Sequence, residues 1–246
     1  MSFYAYTNEK RNITNKIYAK DVTMNNKLNE YFCPTENCAG KMYVRAIENS
    51  ERKTHFVIKT GCSHSDFCRI GKERFSPTEY TEELFDYNEF MQNILKPQVI
   101  SNNNVKQNPG GDGNIKPIST VKQLYLQCIN MDINQFYNGY KISDILIDYR
   151  TRHIYKYYIK GFHLVECYCY RYNLDERKYY AKYWLDESKS KYHILELKFT
   201  NDDLFKKQKD RGYFQKNIVV AGIWENDEKN IISTTINRNG QIYKNI

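Results

Sequence analysis

Apolar and polar positions alternate with a period of two over much of the second half of the chain. Residues 159–172, 178–185 and 191–199 are rich in Tyr, Val, Ile and Leu and are separated by polar turns, so each is predicted as a strand. Asn201-Asp202-Asp203 then caps a short helix, residues 204–210, that stops at Gly212. Two further strands are predicted over 218–224 and 231–237. Upstream of the strands, Val121, Leu124, Cys128 and Ile129 share one face of a helix opened by Ser119 or Thr120. Near the N-terminus, residues 3–6 and 17–19 flank a polar turn and predict a hairpin. Ser76-Pro77-Thr78-Glu79 reads as a capping box for a helix in which Leu84, Met91 and Leu95 recur until Pro97.

Residues 101–119, SNNNVKQNPGGDGNIKPIS, hold two prolines and three glycines and almost no large apolar side chain, so they cannot bury enough surface to order themselves. The predicted organisation is therefore a module over 1–100 closed by the 76–97 helix, a flexible linker over 101–119, and a domain over 120–246. The fold class expected is α+β. Three strands, a helix and two strands is the order of the OB-fold, a five-stranded Greek-key barrel that often binds oligonucleotides. The C-terminal half resembles nucleic-acid-binding OB domains in that order and in Val219-Val220-Ala221-Gly222-Ile223-Trp224, where a glycine in a strand marks a bend of the barrel.

Seven cysteines are an odd number for a disulfide framework, and four of them crowd between Cys33 and Cys68. Cys33-Pro-x-x-x-Cys38 and, about two dozen residues later, Cys62, His64 and Cys68 are two groups of soft or borderline ligands separated by a loop, which is how small modules surround zinc. Cys33, Cys38, His64 and Cys68 are the expected ligands of one structural zinc ion, with His64 and Cys68 on one side of a helical turn. Cys62 competes with His64, and buried reduced thiols are the bland alternative. Tyr4, Ile17-Tyr18-Ala19-Lys20-Asp21, Tyr31-Phe32-Cys33-Pro34, Cys38, His55-Phe56 and the His64/Cys68 pair resemble the N-terminal region of CoiA-like competence proteins over about the first 70 residues. That resemblance implies a zinc-ribbon-like module in proteins that act on incoming or mobile DNA. In that family a nuclease domain follows; the chain beyond the linker does not read as one.

Charge separates the two halves. Residues 1–100 carry 14 Lys+Arg against 13 Asp+Glu, whereas residues 120–246 carry 21 against 15. Alternation places Val165, Cys167 and Cys169, Tyr179, Ala181, Tyr183 and Leu185, and Leu195, Leu197 and Phe199 in a core. It leaves Tyr168, Tyr170 and Tyr172, Lys178, Tyr180, Lys182 and Trp184, and Tyr192, Glu196 and Lys198 on the outer face. Rings interleaved with cations are what single-stranded nucleic acid requires, because rings stack on bases while lysines release counterions from phosphates. The expected interface is Tyr168, Tyr170, Lys178, Tyr180, Lys182, Trp184, Tyr192 and Lys198. The plain alternative is ordinary solvated sheet, or a face covered by the preceding helix.

The resulting expectation is a non-catalytic protein that binds single-stranded DNA or RNA. A protein–protein module or inhibitor is one alternative. A metal-dependent nuclease using Asp186, Glu196 and Lys198, which match a D…(D/E)xK spacing, is the other. His55, His153, His163 and His193 sit beside no nucleophile with an orienting acid, and Gly110-Gly111-Asp112-Gly113 falls in the linker, so no nucleotide cofactor is expected. No stretch approaches the ~20 apolar residues of a membrane helix and residues 1–20 lack the apolar core of a secretion signal, so no membrane partner and a cytoplasmic location are expected. The wealth of Lys, Asn, Ile and Tyr is that of an AT-rich genome, which points to a bacterium or one of its mobile elements.

Overall fold

A computed structural model describes residues 1–49, 53–66, 68–70, 75, 80–97, 117–226 and 231–244. Its contacts divide the chain into two compact units, Met1–Thr81 with Leu126–Gln135, and Glu82–Tyr125 with Phe136–Ile246. Most of the expected linker, 101–119, and the capping box at 76–79 lie outside the described residues.

The first unit is built on a five-stranded antiparallel sheet of short strands, β1 (Tyr4–Tyr6), β2 (Lys16–Tyr18), β3 (Tyr31–Phe32), β4 (Lys41–Arg45) and β5 (His55–Ile58), in the order β2-β1-β3-β4-β5. The β1–β2 hairpin is where the apolar pattern predicts it. Ser2 bridges back to Phe56 through two backbone hydrogen bonds of 2.9 and 2.7 Å, so the sheet curls towards closure. Alternation along β4 turns Met42 and Val44 inward, where they meet Tyr31 and Phe56, whose ring centroids are 4.9 Å apart. Residues 126–135 belong to this unit. There Asp132 accepts a 2.6 Å ion pair from Lys16 and a 3.3 Å hydrogen bond from the Tyr18 hydroxyl, with Asp132 and Lys16 side chains only 4% and 13% exposed. Burial, and then the Asp132 charge, push the Tyr18 hydroxyl up to about 12.

The helix expected from residue 76 begins later. It is α1 (Tyr87–Leu95), capped by Asp86, whose carboxylate accepts the Glu89 N–H at 2.7 Å. Leu84, expected on its apolar face, precedes the helix and is 66% exposed. Moreover α1 belongs to the second unit and does not close the first: Asn237 donates to the Leu95 carbonyl and Arg238 to that of Asn93. Next comes α2 (Val121–Ile129), as predicted, with Val121, Leu124, Cys128 and Ile129 buried. The small elements β6 (Phe136–Tyr137), β7 (Tyr140–Lys141), α3 (Ile142–Ile145) and β8 (Leu146–Ile147) follow.

The second unit is dominated by β9 (Gly161–Asn173), β10 (Lys178–Trp184), β11 (Tyr192–Phe199), α4 (Asp202–Asp210), β12 (Lys216–Asn226), β13 (Ile232–Ile236) and β14 (Ile242–Lys244). Asn201 caps α4 through a 2.8 Å hydrogen bond from the Leu204 N–H, and Gly212 closes that helix turn with φ +68°. β9 pairs with β10, β10 with β11, β11 in parallel with β13, β13 with β12, and β12 with β9, which closes a five-stranded barrel. Counting barrel strands from β9, the circuit is 1-2-3-5-4-1, an OB-like order in which the third and fifth strands run parallel. The core that alternation predicts is inside it: Tyr179, Ala181 and Tyr183, Leu195, Leu197 and Phe199, and Val165, Cys167 and Cys169 are all buried.

The wall is uneven where β12 meets β13. Among the described residues these strands share registered pairs at Glu225/Ser233 and Asn226/Ile232 alone. Beyond them the fully buried Gln241 spans the gap, its Nε2 donating to the Ala221 carbonyl at 3.2 Å and the Thr235 carbonyl at 3.0 Å. Gly222 sits beside this seam. A Cβ there would lie 2.2 Å from Thr234 Oγ1, so the glycine permits a close approach across the barrel.

Candidate metal centre and candidate nucleic-acid interface

Two knuckles form the metal centre. The Cys33 N–H donates to the Gly40 carbonyl at 2.9 Å and the Cys38 N–H to the Thr35 carbonyl at 3.1 Å, so the chain between them folds into a tight loop with both sulfurs on one side. From behind, Arg11 donates through Nε to the Cys33 carbonyl and through Nη2 to the Cys38 carbonyl. Gly40 leaves space for the second knuckle, since a Cβ at that position would stand 2.9 Å from His64 Nδ1. In the second knuckle the Cys68 N–H donates to the Ser65 carbonyl at 2.8 Å; the expected helical turn includes residue 67, outside the described residues.

Cys33, Cys38, His64 and Cys68 bring their ligand atoms within 4.8 Å of one another, and among the described residues this group could hold a metal ion. Cys33 Sγ and Cys68 Sγ are 3.6 Å apart, Cys38 Sγ and His64 Nδ1 3.5 Å, and Cys68 Sγ and His64 Nδ1 3.4 Å. An ion bound tetrahedrally by sulfur at about 2.3 Å and nitrogen at about 2.0 Å has S···S edges of about 3.8 Å and S···N edges of about 3.5 Å. These three of the six edges are close to those of such a tetrahedron, and the other three lie within 4.8 Å. Cys62, half-buried, is outside the group.

The electrostatics also favour a cation. Cys33 and Cys68 share one proton: the hydrogen bond to Cys68, then burial, push the Cys33 thiol up, whereas the hydrogen bonds from Cys33 and His64 draw the Cys68 thiol down. Cys38 Sγ accepts the N–H groups of Gly40 and Ser65, both at 3.4 Å. The other cysteines differ in kind. Cys167 and Cys169 are buried in the barrel, and burial raises both thiols, Cys169 to about 12.

On the barrel's outer face, Lys182 is the centre of the predicted interface. Its Nζ stands 4.2 Å from the Tyr192 ring centroid, 4.8 Å from Tyr170 and 5.3 Å from Trp184. Trp184 and Tyr192 are cross-strand partners whose rings meet edge to face at 5.4 Å. Tyr168 is the β9 partner of Lys182, and Tyr180 lies one outward position along β10. Tyr192 and its neighbour Ile194 remain 41% and 44% exposed. The preceding helix covers one part of this outer face: Tyr125 of α2 hydrogen-bonds Glu166, which shares the outward side of β9 with Tyr168, and meets Tyr243 of β14.

Strict alternation fails at one place. β10 pairs Tyr180 with Arg171 and Ala181 with Cys169, so Tyr170 is an extra residue in a β-bulge. Beyond the bulge the faces exchange. Tyr172, expected outside, packs against the core with Tyr179, Phe205 and Phe214, while Arg171 turns out over the Tyr180 ring at 5.4 Å. Arg171 was missed by sequence reasoning, although an arginine at a supposed core position is itself a signal of a bulge.

The remaining predicted residues are more constrained. Lys178 is ion-paired to Glu176 at 2.6 Å and Glu196 at 3.3 Å, and those partners, Glu176 first, raise its ammonium above the ordinary range. Lys198 donates to Ser233 Oγ at 2.9 Å. Glu196, expected to be exposed, is buried to 9%. Asp186 lies in the β10–β11 turn, where hydrogen bonds from Ser190, the Lys191 N–H and Ser188 hold its carboxyl at about 2. Glu196 pairs with Tyr180, several residues up the strands from that turn, so the structure does not bring Asp186 and Glu196 to a common metal position. Among the histidines, His163 is fixed by the carbonyls of Asp144 and Lys160, and His55 by that of Lys53.

No family model, no curated protein and no solved structure matches the chain. No helix among the described residues is long and apolar enough to cross a membrane.

Proposed function

We propose that the protein binds single-stranded nucleic acid, without catalysis, on the outer face of β9, β10 and β11, and that the Cys33/Cys38/His64/Cys68 cluster holds a structural zinc ion. The observation that carries the binding reading is the group of three rings around Lys182. Tyr170, Trp184 and Tyr192 offer faces on which bases stack, and Lys182, kept among them by cation–π attraction, supplies charge for a phosphate. Tyr168, Tyr180 and Arg171 extend the same surface. In OB barrels this is the region that takes oligonucleotides. Zinc is supported by a donor set of three sulfurs and one imidazole nitrogen, three of whose six separations are close to tetrahedral edges, and four protein ligands leave no corner for a reacting water.

The deciding experiment is fluorescence anisotropy of the full chain with labelled oligo-dT and oligo-U. Trp184→Ala weakens binding by ~1–3 kcal/mol with little change in melting, and Lys182→Ala lowers the salt slope by about 0.7. Absence of binding at ~50 mM salt, where the phosphate term is strong, overturns the reading and favours a protein partner.

A further inference from the structure

A second ring-and-cation surface lies outside the strands, in the segment 149–160 that leads into β9. Its sequence, YRTRHIYKYYIK, contains four Lys or Arg, one His and four Tyr, with no Asp or Glu. Its root is firmly held. Asp148, 1% exposed, accepts the Arg150 N–H at 2.9 Å and pairs with the Arg150 guanidinium, while Thr151 donates through Oγ1 to the Asp148 carbonyl at 3.0 Å. The Tyr155 hydroxyl donates to the Ser143 carbonyl at 3.1 Å, and the Lys160 carbonyl oxygen lies 2.9 Å from His163 Nε2.

From this fixed base the tip projects large rings into solvent. Tyr157 is 73% and Tyr158 61% exposed, and Lys156 Nζ lies over the Tyr157 ring at 4.5 Å. Among the described residues neither Lys156 nor Lys160 has an ion-pair partner. Two adjacent exposed tyrosines on an anchored loop contribute little to a core, and a segment that carries cations and no acid of its own repels basic surfaces while attracting polyanions. The loop's root lies at the end of the barrel where β10 finishes: the hydroxyl of Tyr183, an inward-facing residue next to the outward-facing Trp184, donates to the Asp148 carbonyl at 3.0 Å.

We infer that Tyr157, Tyr158, Lys156 and Lys160 form a second contact for the same single-stranded nucleic acid, engaging the nucleotides that run past Trp184. The inference rests on the strand-face reading above. It predicts a site longer than the sheet alone can cover, within the ~4–16 nucleotides that one OB fold takes.

The test uses the full chain and two oligo-dT probes, of about 6 and about 15 nucleotides, compared by anisotropy. Tyr157→Ala/Tyr158→Ala is expected to weaken the long probe about tenfold or more and to leave the short probe unchanged. Lys156→Ala/Lys160→Ala is expected to lower the salt slope for the long probe by about 1.4. Both pairs are solvent-exposed, and an unchanged thermal melt excludes unfolding as the cause. Unchanged long-probe binding in both double variants, with Trp184→Ala still weakening it, overturns the loop contact and leaves the strand face standing. Loss of long-probe binding in the loop variants with none in Trp184→Ala sinks the strand face and keeps the loop. No binding of either probe by the unaltered chain overturns both.

Discussion

The two units are stabilised by different means. Among the described residues the first unit's core cluster has eleven buried members, and three of them are Cys33, Cys38 and Cys68 themselves; the barrel's has twenty, including Trp224, Tyr179 and Tyr183. The longest strand of the first unit is five residues, against thirteen for β9 and eleven for β12. A small unit with short strands buries little apolar surface to offset its chain entropy, and the metal cross-link proposed for its cysteine cluster would supply what is missing. The barrel needs no such staple, which leaves its outer face available for chemistry. The difference teaches that the cluster and the ring-lined face should fail separately.

The largest effect expected is on the cluster. Cys33→Ser or Cys68→Ser, or a strong chelator, abolishes the first unit's unfolding transition in calorimetry while the barrel's persists, since structural zinc contributes an apparent ~10–16 kcal/mol at pH 7 in small modules. Cys62→Ser leaves both transitions in place. Metal analysis finding no zinc in protein purified without chelator breaks the comparison at its root.

Asp132→Ala sharpens it next. The change leaves Lys16 charged, buried and unpaired, at a cost of about 3–5 kcal/mol to the first unit only. A shift in the barrel transition instead contradicts the assignment of residues 126–135. Gly222→Ala does the converse: the added Cβ meets Thr234, destabilising the barrel by about 1–3 kcal/mol in urea titration and leaving the metal-bound transition unmoved.

The smallest effect is local. Asp186 titrates at about 2 in the folded chain because its own turn donates to it, against 3.8 ordinarily. A depressed carboxyl stabilises the turn above its unfolded value and loses that contribution as pH falls through the folded one. Carbon NMR of the carboxyl should give a midpoint near 2; an ordinary midpoint means that the turn is open in solution.

Much of this was legible in the sequence wherever the governing interaction was local. Period-two alternation placed Tyr179, Ala181, Tyr183, Leu195 and Leu197 inside, and the clustering of soft ligands named Cys33, Cys38, His64 and Cys68. It failed where a single inserted residue, Tyr170, exchanged the faces of Tyr172 and Arg171. The spacing to Cys68 pointed to His64 over Cys62, but the room that Gly40 leaves beside the His64 ring carries no local signature. Membership of residues 126–135 in the first unit was invisible for a different reason. It rests on the Lys16–Asp132 pair, whose partners are separated by 116 residues and carry no local signature. The capping box at 76–79 suggested a helix that begins only at Tyr87, since Leu84 fits helical spacing by coincidence and lies in solvent.

The seam beside Gly222 gives the barrel a latent edge. Between its pairings with β14 at residues 218–220 and with β13 at 225–226, β12 has no registered neighbour on that side among the described residues, and the Gln241 amide stands in for a missing rung. An edge normally invites another strand, and here one side chain blocks it. Opening of the wall should therefore begin at this point, with the amides of β13 exchanging with solvent before those of β9 and β10. Removing the Gln241 amide would leave the Ala221 and Thr235 carbonyls without their donor and convert a closed cylinder into a rolled sheet with a free, pairing-competent margin.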